Sequence, residues 1–206
     1  LSNYMTLLGW SPPDGVGERF DLNKAKEVFN FDRVNKAGAK FDWEKLNWIN
    51  SQVIHQWSEE KLFECINQYW EKKCWEIPSK EWGLALTKLI GPSLILLKDS
   101  IDQAEPFFEE PVLLDDAIKQ INSDGAKKAL ETVLVQLEQT PWDGIDIAKA
   151  KNIIEKSMAL AEVKKGLIMK TLRAAFLGQL KGPDLLTTWS LLATKDEDRK
   201  RIRRCL

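Results

Sequence analysis

Apolar residues recur along most of this chain at helical spacing. Leu22, Ala25 and Val28-Phe29 share one face behind Asp21, a residue able to accept from the first-turn N–H groups as an N-cap. Behind Asp42, Leu46, Ile49 and Val53 repeat at i, i+3 and i+7. Ser58 opens a segment striped by Leu62, Cys65, Ile66 and Tyr69. Ser79 opens another, which Gly91 should close from the position just past the helix. Residues 2–8 predict a short apolar helix stopped by Gly9, and the Ser-Pro-Pro-Asp-Gly run at 11–15 reads as a turn. Helical periods continue over 112–122, 124–139, 145–160, 164–177 and 184–192, with breaks at Pro111, at Thr140-Pro141 and over 178–183. Thr194 and Glu197 stand at capping-box spacing before a last helix rich in basic residues. No stretch alternates with period two over strand length, so the predicted fold class is all-α. No fixed-period repeat occurs, which excludes a solenoid.

Composition narrows this. At 206 residues, 44% hydrophobic and 30% charged, the chain is long enough for a sizeable core and reads as globular. Its longest apolar run, 89–97, is interrupted by Gly91, Pro92 and Ser93 and is far shorter than the roughly 20 residues of a membrane span. No membrane partner is expected. There is no secretory leader pattern, and Leu1 in place of an initiator Met reads as a fragment boundary. Three cysteines argue against a disulfide framework and for a reducing compartment, the cytoplasm or an organelle stroma. The net charge of -1 is unevenly spread. Residues 161–206 hold eleven basic and five acidic side chains, whereas 105–160 hold six and eleven. The last quarter suits a phosphate backbone and the middle repels one.

Chemistry-bearing motifs are absent. His55 is the single histidine, and no Gly-rich phosphate loop, HExxH or Cys-x-x-Cys occurs. The spacing of His55, Cys65 and Cys74 matches no common zinc pattern, so no metal is expected. Catalysis by these residues alone is not expected. Nine tryptophans offer faces on which unpaired bases stack. The amphipathic settings of Trp43, Trp57, Trp70, Trp82 and Trp189 point instead to core.

Four stretches, in order along the chain, resemble bacterial glutamyl-tRNA synthetases. They are Asn3-Tyr4-Met5-Thr6-Leu7-Leu8-Gly9-Trp10-Ser11, Phe41-Asp42-Trp43-Glu44-Lys45-Leu46-Asn47-Trp48-Ile49-Asn50, Leu172-Arg173-Ala174-Ala175-Phe176 and the turn Gly182-Pro183-Asp184-Leu185. The resemblance implies a helical stem-contact region over 1–57, lying against the inner corner of the tRNA. It implies a two-part helical anticodon-binding domain over 58–139 and 140–206. Glutaminyl relatives read anticodons with β-barrels, and no strand pattern is present. The motifs that handle ATP and Mg2+ are not among these residues, so the resemblance places glutamate activation outside them. No cofactor is expected on this segment.

The same resemblance assigns roles. Lys36, Lys40 and Lys45 would meet tRNA phosphates near Gly38, while Leu46 and Trp48 would be core. Arg173, Gly182, Pro183 and Leu185 would hold the first two anticodon bases, by stacking on the guanidinium plane and by main-chain contacts at the turn. Gly91 and Ser93 would lie at the third base. Family members restricted to tRNA-Glu place an arginine there, whereas residues 89–97 contain no arginine or lysine and the first cation is Lys98. The expected partners are therefore tRNA-Glu and also tRNA-Gln, with no DNA, and a monomeric protein. Arg199, Lys200, Arg201, Arg203 and Arg204 would either attract phosphate or serve the last helix's dipole. The alternative is a helical scaffold that binds other proteins.

Overall fold

The computed structural model describes residues 1–140 and 144–206. The expected break at Pro141 lies outside them, as does Trp142. Among the described residues there are twelve α-helices and no strand, with a single isolated bridge between Trp10 and Val34. None of these helices is long and apolar enough to cross a membrane.

Residues 1–54 carry α1 (Ser2–Gly9), α2 (Leu22–Val28) and α3 (Trp43–Ile54). Aromatic contacts organise this part. Trp10 stacks on Phe29, meets Phe20 edge-on and donates its indole N–H to the Asn30 carbonyl at 3.1 Å. The Tyr4 hydroxyl accepts from the Asp42 N–H at 2.6 Å, which ties α1 to the start of α3. The expected caps form: Asp21 accepts from the Lys24 N–H and Asp42 from the Lys45 N–H. Trp43 and Trp48 depart from expectation. They are 69% and 46% exposed, and Leu46 is half-buried. Their pattern is amphipathic, but among the described residues that face stays largely open to solvent.

The remainder comprises α4 (Glu59–Lys72), α5 (Lys80–Ile90), α6 (Ser100–Phe108), α7 (Asp115–Ile121), α8 (Ala126–Glu138), α9 (Ile147–Ala161), α10 (Lys165–Leu177), α11 (Leu185–Ala193) and α12 (Glu197–Arg204). Ser58 and Ser79 cap α4 and α5 through first-turn N–H groups. One buried cluster runs through these helices from Ile54 to Cys205, with Trp70, Trp82 and Trp189 fully inside and Trp57 half-buried against it. Each buried indole N–H is satisfied, Trp70 by the Ser100 carbonyl and Trp82 by the Leu191 carbonyl. α10 is the central element and packs against α7, α8, α9, α11 and α12.

Two local expectations are corrected. Gly91 is not a left-handed stop. It is right-handed (φ -49, ψ -45), buried, and begins a single 3-10 turn, Gly91–Ser93, in which the Ser93 hydroxyl donates back to the Ile90 carbonyl at 2.7 Å. Thr194 does not form the capping box either. Its hydroxyl donates to the Leu191 carbonyl, and α12 starts behind Asp196, whose backbone is left-handed.

Candidate nucleic-acid interface

Arg173 is the half-buried position in the run 171–178, whose other residues are all buried. Its Nη1 donates to the Pro183 carbonyl at 2.6 Å. The Gly182-Pro183 turn is thereby fastened over the end of α10. Gly182 sits at φ +146, where a Cβ would lie 2.8 Å from Leu177 Cδ1 and 3.6 Å from Arg173 Nη1. The positive φ favours glycine here, and a larger residue would also have to displace the Leu177 methyl.

Asp184 then caps α11, accepting from the Thr187 N–H at 2.9 Å and its hydroxyl at 2.8 Å. Partial burial pushes the Asp184 carboxyl up. The Thr187 hydrogen bonds and the Arg173 charge outweigh that and hold it below the usual carboxylate range. Leu185 is 1% exposed, with its side chain in the core, so any contact from it falls to its main chain.

The second expected segment stands opposite. Leu89, Pro92, Ser93, Gln103, Gly182 and Pro183 line one cleft of about 420 Å3. The fold thus brings Ser93 beside Gly182 and Pro183, residues about ninety positions away in sequence. Gly91 stays behind the wall, where a Cβ would lie 3.1 Å from Leu62 Cδ2. It shapes the turn without reaching the cleft lining.

The turn is also held from α3. Asn50 donates to the Ile95 carbonyl at 2.6 Å, and His55 Nε2 lies 3.0 Å from the Leu94 carbonyl. The single histidine is therefore a structural link between the N-terminal part and this turn. Gln103 is the lining residue that periodicity missed. Ser100, Ala104 and Phe107 form the buried stripe of α6, and Gln103 lies off that stripe.

The cations distribute differently from expectation. Arg201 is 1% exposed and donates to the carbonyls of Pro106, Phe176 and Glu109 and to Glu197. Arg199 is buried against the Leu137 carbonyl. Arg203 pairs with Glu138, Arg204 with Glu110 and Lys200 with Glu197. Arg199 and Arg201 are therefore taken up by the fold, while Lys200 and Arg203, 62% and 53% exposed, stand at the surface in ion pairs. Lys170, one turn before Arg173, and Lys181, beside Gly182, are exposed and carry no ion pair among the described residues. Lys181 adjoins in sequence the Gly182 that lines the cleft. In the N-terminal part Lys36 and Lys40 are exposed, while Lys45 is engaged with Glu18 at 2.7 Å. Among the described residues, no group of three His, Cys, Asp or Glu side chains is disposed to hold a metal.

A cleft walled by Leu89, Pro92 and Pro183, with Arg173 fastened to its Pro183 edge, has the apolar surface on which an unpaired base could rest. The comparisons with known proteins point the same way. Residues 61–206 match the family described as anticodon binding domain. Over 206 residues the chain is 55% identical to a glutamate–tRNA ligase of Synechococcus sp. (strain CC9311), covering 100% of this chain and 43% of that protein. The figures are 55%, 100% and 43% for a glutamate–tRNA ligase of Prochlorococcus marinus (strain MIT 9313). The chain thus spans less than half the length of these relatives. The crystal structure of a glutamate–tRNA ligase from Elizabethkingia meningosepticum, in complex with its amino acid, superposes with a TM-score of 0.88 at 25% identity, over 99% of this chain and 40% of that one.

Proposed function

The chain belongs to the anticodon-binding domain family, and from that premise we propose that it is the tRNA-recognition part of a glutamate–tRNA ligase. In this reading the parent enzyme joins glutamate to tRNA-Glu using ATP and Mg2+ at residues outside this chain. These residues hold the tRNA so that its acceptor end reaches that site. The parent works as a monomer in the cytoplasm, and it charges tRNA-Gln as well as tRNA-Glu. The observation that carries the reading is the pair of turns, 91–93 and 182–184, lining one cleft whose Pro183 edge is fastened by Arg173. Lys36 and Lys40 are the free cations for the tRNA's inner corner.

Phosphate neutralisation releases counterions, so binding should depend on salt. Affinity for tRNA-Glu transcripts should fall roughly ten-fold between 50 and 200 mM salt, as expected for about two neutralised phosphates. Filter binding or anisotropy across that range is the check. A flat profile with measurable binding would remove the phosphate contacts from the reading, and no binding at low salt would remove the reading.

Arg173→Ala separates recognition from support. It should lower charging by the parent enzyme by about 1–3 kcal/mol in kcat/KM, the usual scale for a good polar base contact. It should also cost about 1 kcal/mol of stability, because the Pro183 carbonyl loses its donor. A large loss of melting temperature with unaltered charging would make Arg173 purely structural.

One observation favours a second reading. Phe31 is 82% exposed, Trp43 69% and Leu22 61%, large apolar side chains that another polypeptide would cover. A helical scaffold would use it and ignore RNA, so the tRNA titration above decides between the two.

A further inference from the structure

Two hydrophobic cores meet at α3. Tyr4, Trp10, Ala25 and Ile49 are buried in the N-terminal part and stand outside the large cluster, which begins at Ile54, the last residue of α3. The chain then turns through 55–58 and continues as α4. Short connections at element ends are where hinges form, because they absorb changes in φ and ψ. This joint is not packed solid. A cleft of about 370 Å3 lies beside it, lined in part by Ile54, His55, Trp57, Gly91 and Pro92. Two side chains brace it from outside. Asn50, half-buried on α3, donates to the Ile95 carbonyl at 2.6 Å, and His55 Nε2 lies 3.0 Å from the Leu94 carbonyl. A carbonyl only accepts, so His55 Nε2 is the donor. The Leu94 side chain is fully buried in the large cluster, which makes its carbonyl a fixed point of the second body. The two donors are five residues apart, roughly 7.5 Å along a helix axis. One hydrogen bond is a pivot, and two at this separation oppose rotation about either.

We propose that Asn50 and His55 are positioning residues, a two-point latch that holds the N-terminal part and the later helices at one angle so that a single RNA can touch both. The inference rests on the tRNA-recognition reading above. It concerns how two separate contacts act together, and neither latch residue needs to touch RNA. Lys36 and Lys40 stand exposed in the N-terminal part, and the turns 91–93 and 182–184 line the cleft in the other. When two contacts belong to one rigid body, closing the first brings the second to a high effective concentration. When the joint bends freely, the second contact meets its phosphate only part of the time, and binding must also freeze the joint. The latch therefore strengthens binding of an RNA long enough to span both parts. A short RNA that reaches only the cleft gains nothing from it.

The test compares a whole tRNA-Glu transcript with its anticodon stem-loop hairpin. Each is titrated by fluorescence anisotropy at pH 8 and one low salt concentration with the 206-residue protein and its variants. The unaltered protein should bind the transcript at least about ten-fold more tightly than the hairpin. Asn50→Ala combined with His55→Ala should lower that ratio by about ten-fold and keep hairpin affinity within about two-fold. Alanine favours the helix at position 50, so α3 itself is not weakened. His55→Gln alone restores an amide donor in place of the ring N–H, and its ratio should stay within about two-fold of the unaltered protein. None of these substitutions changes the charge at pH 8, so the general attraction of the longer RNA cancels between variants. An unchanged ratio in the double variant would overturn the latch and leave the tRNA reading standing. Hairpin affinity that falls as far as transcript affinity would overturn it too, making the pair local supports of the cleft. A His55→Gln ratio as low as the double variant's would show that the hydrogen bond is not what holds the joint. Equal binding of both RNAs by the unaltered protein would mean that the N-terminal part adds nothing, and the inference fails. Binding of neither would overturn the reading and the inference together.

Discussion

Gly178→Ala should lower stability by about 4 kcal/mol, near the limit of what single substitutions do. Gly178 ends α10 in the left-handed region, at φ +69, and its N–H returns to the Ala174 carbonyl. Its own carbonyl accepts from the Leu114 N–H at 2.8 Å. A Cβ there would lie 2.1 Å from the Val112 carbonyl oxygen and 3.0 Å from the carbonyl carbon. The obstacle is backbone, so no rotamer change relieves it. Segment 112–114 must retreat, which breaks the Leu114 hydrogen bond and unpacks the start of α7. Gly15 supplies the control. It also has positive φ, +83, but open space where a Cβ would go. Gly15→Ala should cost only the left-handed penalty, about 1–2 kcal/mol. Urea denaturation of both variants measures the difference. Equal costs would mean that the approach of Val112 is not tight in solution. The penalty bears on function because Gly178 also begins the segment that delivers Gly182 and Pro183 to the cleft.

Features written in adjacent residues were legible. Asp21, Asp42, Ser58 and Ser79 cap helices because a short oxygen-bearing side chain reaches the N–H three residues on, and that geometry needs no tertiary information. Thr194 shows the limit. The preceding helix end offered the Leu191 carbonyl to its hydroxyl, and a left-handed Asp196 displaced the start of α12. α6 was written in Ser100, Ala104 and Phe107 but obscured by Pro106 inside it. With α6 unread, Gln103 had no place beside the turns. Trp43 and Trp48 show the opposite failure. An amphipathic stripe states that a face is suited to burial, and it does not state which polypeptide buries it. For the site, the two turns were legible as motifs, but their juxtaposition depends on contacts between residues about ninety positions apart.

The terminal basic run holds the strongest tertiary device and the last large effect. Arg201→Met, close to it in volume, should cost about 3–5 kcal/mol, the scale for removing one partner of a buried charged network. Arg201 Nη1 donates at 2.6 Å both to the Pro106 carbonyl in the last turn of α6 and to the Phe176 carbonyl in the last turn of α10. Nη2 donates to the Glu109 carbonyl at 3.0 Å, and Nε to Glu197 at 3.1 Å. Carbonyls at helix C-termini have no partner within their own helix and lie at the negative end of its dipole, so a buried cation between two such ends satisfies both. A methionine fills the volume, leaves three carbonyls unanswered, and leaves Glu197 with Lys200 alone. Lysine would not rescue it, because one ammonium cannot span the fork of a guanidinium. α6 carries Gln103 and α10 carries Arg173, so this one side chain sets the spacing between the two walls of the cleft. Two losses should therefore appear together. The melting temperature should fall by roughly 10 °C, given the usual 2–4 °C per kcal/mol for a chain of this size. Affinity for tRNA-Glu should fall as well, even at temperatures where circular dichroism shows the variant fully helical. A melting temperature within about 2 °C of the unaltered protein would show that Arg201 is dispensable to the fold. A folded variant with unchanged affinity would show that the walls keep their spacing without it.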